Sequence, residues 1–446
     1  MPISNRSGSP PATRADGMMR LRRALYGHAR RAVHSDIGLR LAHAGERLRV
    51  RAYLGVGAGT GPGRRPRSHA APRERHVVML PAGGGNIGDQ AMFEAYLANT
   101  RGEVVAVMRS ADAYVVPDPD EARVRVLRAP LLSAGTLRGR WSEVRALADA
   151  LCAARSFAVI GADIMDGGYN RAEAVTRAEM LRLAHRLGAP AQVLGFSWGE
   201  HVDAAATRAM VRAAREARLF ARDPISADRL ARAGIATVAS ADLVFSAAGE
   251  QEPADVARWL EHDRDPVVVI NLSGLVERRV DIVPEFVGLI DRLTSGATRV
   301  VLLPHCLRDG DDDLAVCRRA AAAAAFPHRV LLIERALRPA EVRWLTARAR
   351  AVITGRMHLS ILALSQGTPA VVLRTRGKVE GLARMFGLEA YALEPAPGIG
   401  DEIDRALAVL LADAALRERI RETLPKVREL ARRPFASSQA SEAVPG

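Results

Sequence analysis

The chain has 446 residues, 48% of them hydrophobic, which exceeds what one core usually organises, so two compact domains with appendages are expected. Its formal charge of +14 lies almost wholly in residues 1–75, where 16 arginines and no lysine face only Asp16, Asp36, Glu46 and Glu74; the body is nearly neutral. Three cysteines make no CxxC or Cys/His zinc spacing, and no run of 18 apolar residues marks a membrane span, so a cytoplasmic protein is expected.

Residues 1–17 are rich in Ser, Pro and Gly and read as loose, whereas Met18 to Leu54 alternates Arg with apolar residues at helical spacing. One or two basic amphipathic helices are expected there, followed by a Gly/Pro/Arg linker at 55–75. A basic extension on a neutral body suits anionic lipid headgroups, ribosomes or nucleic acid about equally, and a solvated extension is the plainer alternative. No nucleic-acid fold motif accompanies it. Peripheral contact with the inner face of the membrane is one role open to it.

From His76 onward, short β-rich runs alternate with longer helical patterns, the sign of a parallel sheet covered by helices. Strands are expected at 76–80, 104–107, 157–160, 192–195 and 219–221, with helices at 90–99, 141–153, 171–187, 204–217 and 224–233. A second series places strands at 267–271, 299–303, 329–333, 351–353 and 370–373, and helices at 283–294, 311–325 and 339–349. Glu250 to Asp265 separates the two series. Two terminal helices, 402–415 and 417–433, complete the body. The expected organisation is an α/β chain with a basic extension at 1–75, Rossmann-like domains at 76–249 and 250–433 facing a cleft, and a flexible tail at 434–446.

Several segments fall where open α/β sheets bind ligands, at strand carboxyl ends. The first is Pro81-Ala-Gly-Gly-Gly-Asn-Ile-Gly-Asp-Gln90, where glycines 83, 84, 85 and 88 let bare backbone N–H groups approach an anion at a helix start, Asn86 can hydrogen-bond across the turn and Asp89 can cap the helix; Gly84, Gly85, Asn86 and Asp89 are its candidate substrate-binding residues. Its Gly83-x-Gly85-x-x-Gly88 spacing also fits a dinucleotide fingerprint, although the second strand ends in Arg109 rather than in a ribose-binding acid. A purely structural tight turn fits it as well.

Asp163 and Asp166 follow the strand 157–160, placed to orient hydroxyls or act as a base, with Asx-turn work the plain alternative. Arg222 ends the strand 219–221 as a candidate anion contact, and Asp223 is the expected cap of the next helix. His305 lies just past 299–303, ahead of the acidic run Asp309-Gly-Asp-Asp-Asp313, which reads as helix-start electrostatics. The most specific signal is Gly355-Arg-Met-His358, delivered by the strand 351–353 and anchored by an apolar helix that stops at Gly367-Thr-Pro369. Arg356 offers a planar fork for carboxylate or phosphate, and His358 exchanges protons near neutral pH.

The order of these pieces over roughly residues 77–395 resembles the polysaccharide pyruvyl transferase family: the loop 83–89, the acidic Gly turn 159–168, Arg222-Asp223, Pro304-His305 with Asp309, and Arg356-x-His358 with Gly367-x-Pro369. Where relatives often carry Asp-Pro near the end of the first half, this chain reads Ala241-Asp242-Leu243. The resemblance implies the two-domain fold of GT-B glycosyltransferases and transfer of pyruvate from phosphoenolpyruvate onto two sugar hydroxyls as a ketal, with no cofactor or metal. It implies Arg356 and Lys378 as donor-binding groups, His358 as the proton handler, and the loop 83–89 with Asp163 as the opposite wall. A lipid-linked or nucleotide-linked glycan of cell-envelope polysaccharide synthesis is the implied acceptor. A nucleotide-sugar glycosyltransferase and a catalytically silent scaffold of an envelope-synthesis complex are the other readings.

Overall fold

Val104–Met108 and Val267–Asn271 are buried at every position instead of at alternate ones, which marks strands covered by helices on both faces. The computed structural model describes residues 36–55, 75–308, 312–375 and 377–439. The chain divides into two compact units after Gly55. The first contains the helix Asp36–Tyr53, inside the stretch expected to be helical and basic. The expected loose segment 1–17 and nearly all of the linker lie outside the described residues.

The second unit carries two all-parallel sheets. One contains β1 (Arg75–Met79), β2 (Val104–Met108), β3 (Val124–Arg128), β4 (Ala154–Ile160), β5 (Ala191–Phe196), β6 (Arg218–Ala221) and β7 (Val238–Ala239), in the order β3-β2-β1-β4-β5-β6-β7. The other contains β8 (Val267–Asn271), β9 (Arg299–Leu302), β10 (Val330–Leu332), β11 (Ala351–Thr354), β12 (Ala370–Leu373) and β13 (Ala392–Leu393), in the order β10-β9-β8-β11-β12-β13. Both are doubly wound. The strand order reverses between β1 and β4 in one sheet and between β8 and β11 in the other, and each reversal opens a crevice at the carboxyl ends of those strands.

Some expectations need correction. The helix after β1 spans Ile87–Ala98, one turn earlier than expected, and its cap is Asn86, not Asp89. The segment 250–265 is not a bare separator, since it holds the helix Ala254–Glu261. The final helix runs Leu416–Gln439 with Pro425 and Pro434 inside it, so the chain does not loosen at Pro434. It crosses to the first sheet's half, where the Ser240 hydroxyl donates to the Leu430 carbonyl at 3.1 Å and the Tyr96 and Phe435 rings lie 6.1 Å apart.

Candidate active site

At the first reversal, β1 runs into Pro81 and the glycine loop. The amides at the helix start are already bonded. Asn86 Oδ1 accepts from the Gly88 and Asp89 amides at 2.8 and 3.4 Å, and the Ile87 amide donates to the His305 carbonyl at 3.1 Å. Leu307 in turn donates its amide to the Gly85 carbonyl at 2.7 Å, and Asn86 pairs with Cys306 as an antiparallel bridge. The loop therefore stitches the two halves together, and its helix start is not an open anion cradle. Gly88 is required sterically, because a Cβ there would overlap the Cβ, Cγ and Nδ1 of His358.

β4 delivers Asp163 through Ala162, a non-glycine residue at φ +44°, a backbone conformation that costs on the order of 1 kcal/mol and tends to occur at functional sites. The Tyr169 hydroxyl donates to Asp163 Oδ2 at 2.9 Å. Burial would raise the Asp163 carboxyl, but Lys378, Arg222, the Tyr169 hydroxyl and His358 together outweigh it and hold it below the usual range. Lys378 reaches this turn from the other half, donating to the Asp163 carbonyl at 2.5 Å and pairing with Asp166 at 3.0 Å. Its ammonium is spent across the cleft.

β6 ends at Ala221 and is followed by Arg222, which is 3% exposed. It donates to Asp242 Oδ2 at 2.8 Å and to Ser197 Oγ at 2.6 Å, so it is not presented to a ligand as expected. Asp223 caps the following helix, as its sequence position implied. The same Asp242 oxygen lies 3.4 Å from His358 Nε2, a charge-pair distance with poor hydrogen-bond alignment. Burial alone would raise the Asp242 carboxyl, yet His358, Arg222 and the Val244 amide bring it down to about 2. Arg222, Asp242 and His358 thus form a line running from the interior to the cleft.

At the second reversal, β11 ends at Thr354 and Gly355. A Cβ at Gly355 would stand 2.7 Å from Ser273 Cβ and 2.9 Å from Val276 Cγ2, so only glycine lets this strand end approach the β8 side. Arg356 follows, its Nη2 donating to Asp313 Oδ1 at 2.6 Å and its Nε contacting both carboxylate oxygens at 3.2 Å. Asp313 is fully buried and also accepts from Asn271 Nδ2, the Gly274 amide and the His305 and Cys306 amides at 2.8–3.1 Å. One carboxylate thereby fixes three strand ends and the orientation of Arg356. His305 is 1% exposed with neither ring nitrogen hydrogen-bonded, and burial, His358 and Arg356 hold it neutral, well below the usual histidine range.

These pieces enclose a cavity of about 500 Å³ between the sheets, lined by Asn86, Asp89, Asp163, His305, Arg356 and His358 among the residues expected from sequence. Gly84, Gly85, Arg222 and Lys378 are not on its wall; Gly83, Tyr169, Glu173, Thr375 and the arginines 109, 278 and 308 are. Asp89 is buried, and burial raises its carboxyl to about 6, against the pull of His358 and Arg308.

The polysaccharide pyruvyl transferase family model matches residues 122–376. The chain belongs to that family. No curated protein matches it in sequence. Among solved structures, the chain is similar to the sucrose-phosphate synthase of Thermosynechococcus elongatus (16% identity, 82% of this chain and 98% of that one, TM-score 0.53). It is also similar to a UDP-glucosyltransferase of Polygonum tinctorium (12% identity, 83% and 98%, TM-score 0.54). A third is the UDP-GlcNAc 2-epimerase of Neisseria meningitidis (12% identity, 82% and 100%, TM-score 0.50). At such identities the likeness establishes the GT-B type fold alone.

The pyruvyl transferase match covers Asp163, Arg222, Asp242, His305, Asp313, Arg356 and His358, and leaves the glycine loop and Lys378 outside. Sequence reasoning missed Asp242 and Asp313 as partners of the site. Asp242 stood out only as the residue in place of an Asp-Pro pair. Asp313 was hidden as the last member of an acidic run read as helix-start charge.

Proposed function

We propose that this polysaccharide pyruvyl transferase takes pyruvate from phosphoenolpyruvate and sets it as a ketal across two hydroxyls of a lipid-linked or nucleotide-linked glycan, in envelope polysaccharide synthesis. The observation that carries the reading is the pairing of a carboxylate-anchored arginine with a histidine that lies 3.4 Å from a second buried carboxylate, on one cavity wall. The reaction needs an anion held in register and a group that moves protons beside it.

Arg356, immobilised by Asp313, orients the donor's carboxylate or phosphate, with Arg308 on the same cavity wall adding positive potential. Asp242 favours the tautomer of His358 with its proton on Nε2, which leaves Nδ1, beside Gly88, to take the proton of an attacking hydroxyl. His305, kept neutral, adds a hydrogen-bonding group without another charge. Lys378 does not reach the cavity wall and acts instead by holding the turn that presents Asp163.

Phosphate release from phosphoenolpyruvate with candidate glycans tests this. His358→Ala and Arg356→Ala should each lower it by roughly 10²-fold or more; release at the wild-type rate in both variants would remove the assignment.

A further inference from the structure

Asp89 sits in the first turn of Ile87–Ala98, where an acidic residue ordinarily serves the helix start. Here Asn86 does that work by accepting from the Gly88 and Asp89 amides. Among the described residues, no donor is bonded to the Asp89 carboxyl. It is 8% exposed and lines the cavity together with His358. A buried carboxyl with no structural partner, facing a cavity, has a cost that the fold alone does not explain.

We infer that Asp89 is the acid that protonates C3 of the enolpyruvyl group, a role that rests on the donor proposed above. His358, Arg308, Asp163, Glu173 and Tyr114 are the titratable and charged groups around it. Burial, with smaller contributions from Asp163 and Glu173, outweighs His358 and Arg308, so the carboxyl keeps its proton up to about pH 6. An anionic donor in the cavity raises it further.

The cycle then closes on two groups. Asp89 gives its proton to C3 as the first hydroxyl oxygen bonds C2 and passes its proton to His358. The C2–O bond to phosphate breaks with its electron pair, and phosphate takes the proton from His358. The second hydroxyl oxygen bonds C2 and returns its proton to the Asp89 carboxylate. Phosphoenolpyruvate and two hydroxyls become a ketal and phosphate, with both side chains restored.

The test compares the full-length protein with Asp89→Asn, using phosphoenolpyruvate and a panel of nitrophenyl glycosides. Phosphate release should fall roughly 10²- to 10⁴-fold, the size of general acid catalysis, while the donor Kd by calorimetry at about pH 5, where Asp89 holds its proton, stays within about threefold. The wild type should lose activity as pH rises and its acid deprotonates, and that limb should vanish in the variant. Turnover within tenfold of wild type, with the alkaline limb intact, overturns the role of Asp89 and leaves the donor standing. A wild type that neither binds nor turns over phosphoenolpyruvate overturns both. If it binds the donor but uses none of the glycosides, calorimetry in buffers of different ionisation enthalpy decides. Proton uptake on binding that disappears in D89N supports the role, and unchanged uptake overturns it.

Discussion

Burial of Asp89 has a consequence for stability as well as chemistry. Its folded carboxyl titrates at about 6, above the unfolded value of 3.8, so the folded state binds the proton more tightly. Its favourable contribution is complete below about pH 4 and is lost as pH rises through about 6. The shift corresponds to about 3 kcal/mol. Asp89→Asn removes a buried charge at pH 8 and nothing comparable at pH 4. Melting curves should therefore show the variant more stable than wild type at pH 8, with the gap closing toward pH 4. A gap independent of pH would show that Asp89 is already ionised in the fold. Among the sequence-derived residues, Arg356 and His358 were legible because a short motif at a strand end carries them. Their carboxylate partners were not, since Asp313 is 43 residues from Arg356 and Asp242 lies in the other half of the chain from His358.

At the level of elements, the strand ends are held by close backbone approach. Gly355→Ala puts a Cβ against Ser273 and Val276 at 2.7 and 2.9 Å, so β11 must retreat from the β8 side. The expected cost is about 1–3 kcal/mol, read as a lower melting temperature, together with reduced turnover because Arg356 moves with the strand. A fully stable, fully active G355A protein would contradict the packing account. Buried all-apolar runs such as Val267–Asn271 made most central strands readable from sequence. β3 was not, because Val-Arg-Val-Leu-Arg is only partly covered at the sheet edge, and β7 and β13 are two residues each. Asn86 and Asp89 are both good caps by type; which one caps depended on Asp89 turning into the cavity.

Across the whole molecule, the two sheets are joined by contacts that no local pattern announces. Lys378 spans 215 residues to Asp163, the loop at 83–89 is paired with 305–307, and the final helix returns to the first sheet's half. Ending the chain before Leu416 would uncover the partners of Ile420, Leu424, Val427 and Phe435, all buried. That truncation should yield an aggregating protein, seen by size-exclusion chromatography; a monodisperse, folded product would mean that the helix is dispensable. Among the described residues no helix is long and apolar enough to cross a membrane. The cavity between the sheets is the proposed donor site, and a crystal structure of the protein soaked with phosphoenolpyruvate decides whether it is. The donor should lie there with an anionic group against Arg356 and its reacting carbons between Asp89 and His358; a donor bound elsewhere, or excluded while a nucleotide sugar fills the cavity, would contradict it.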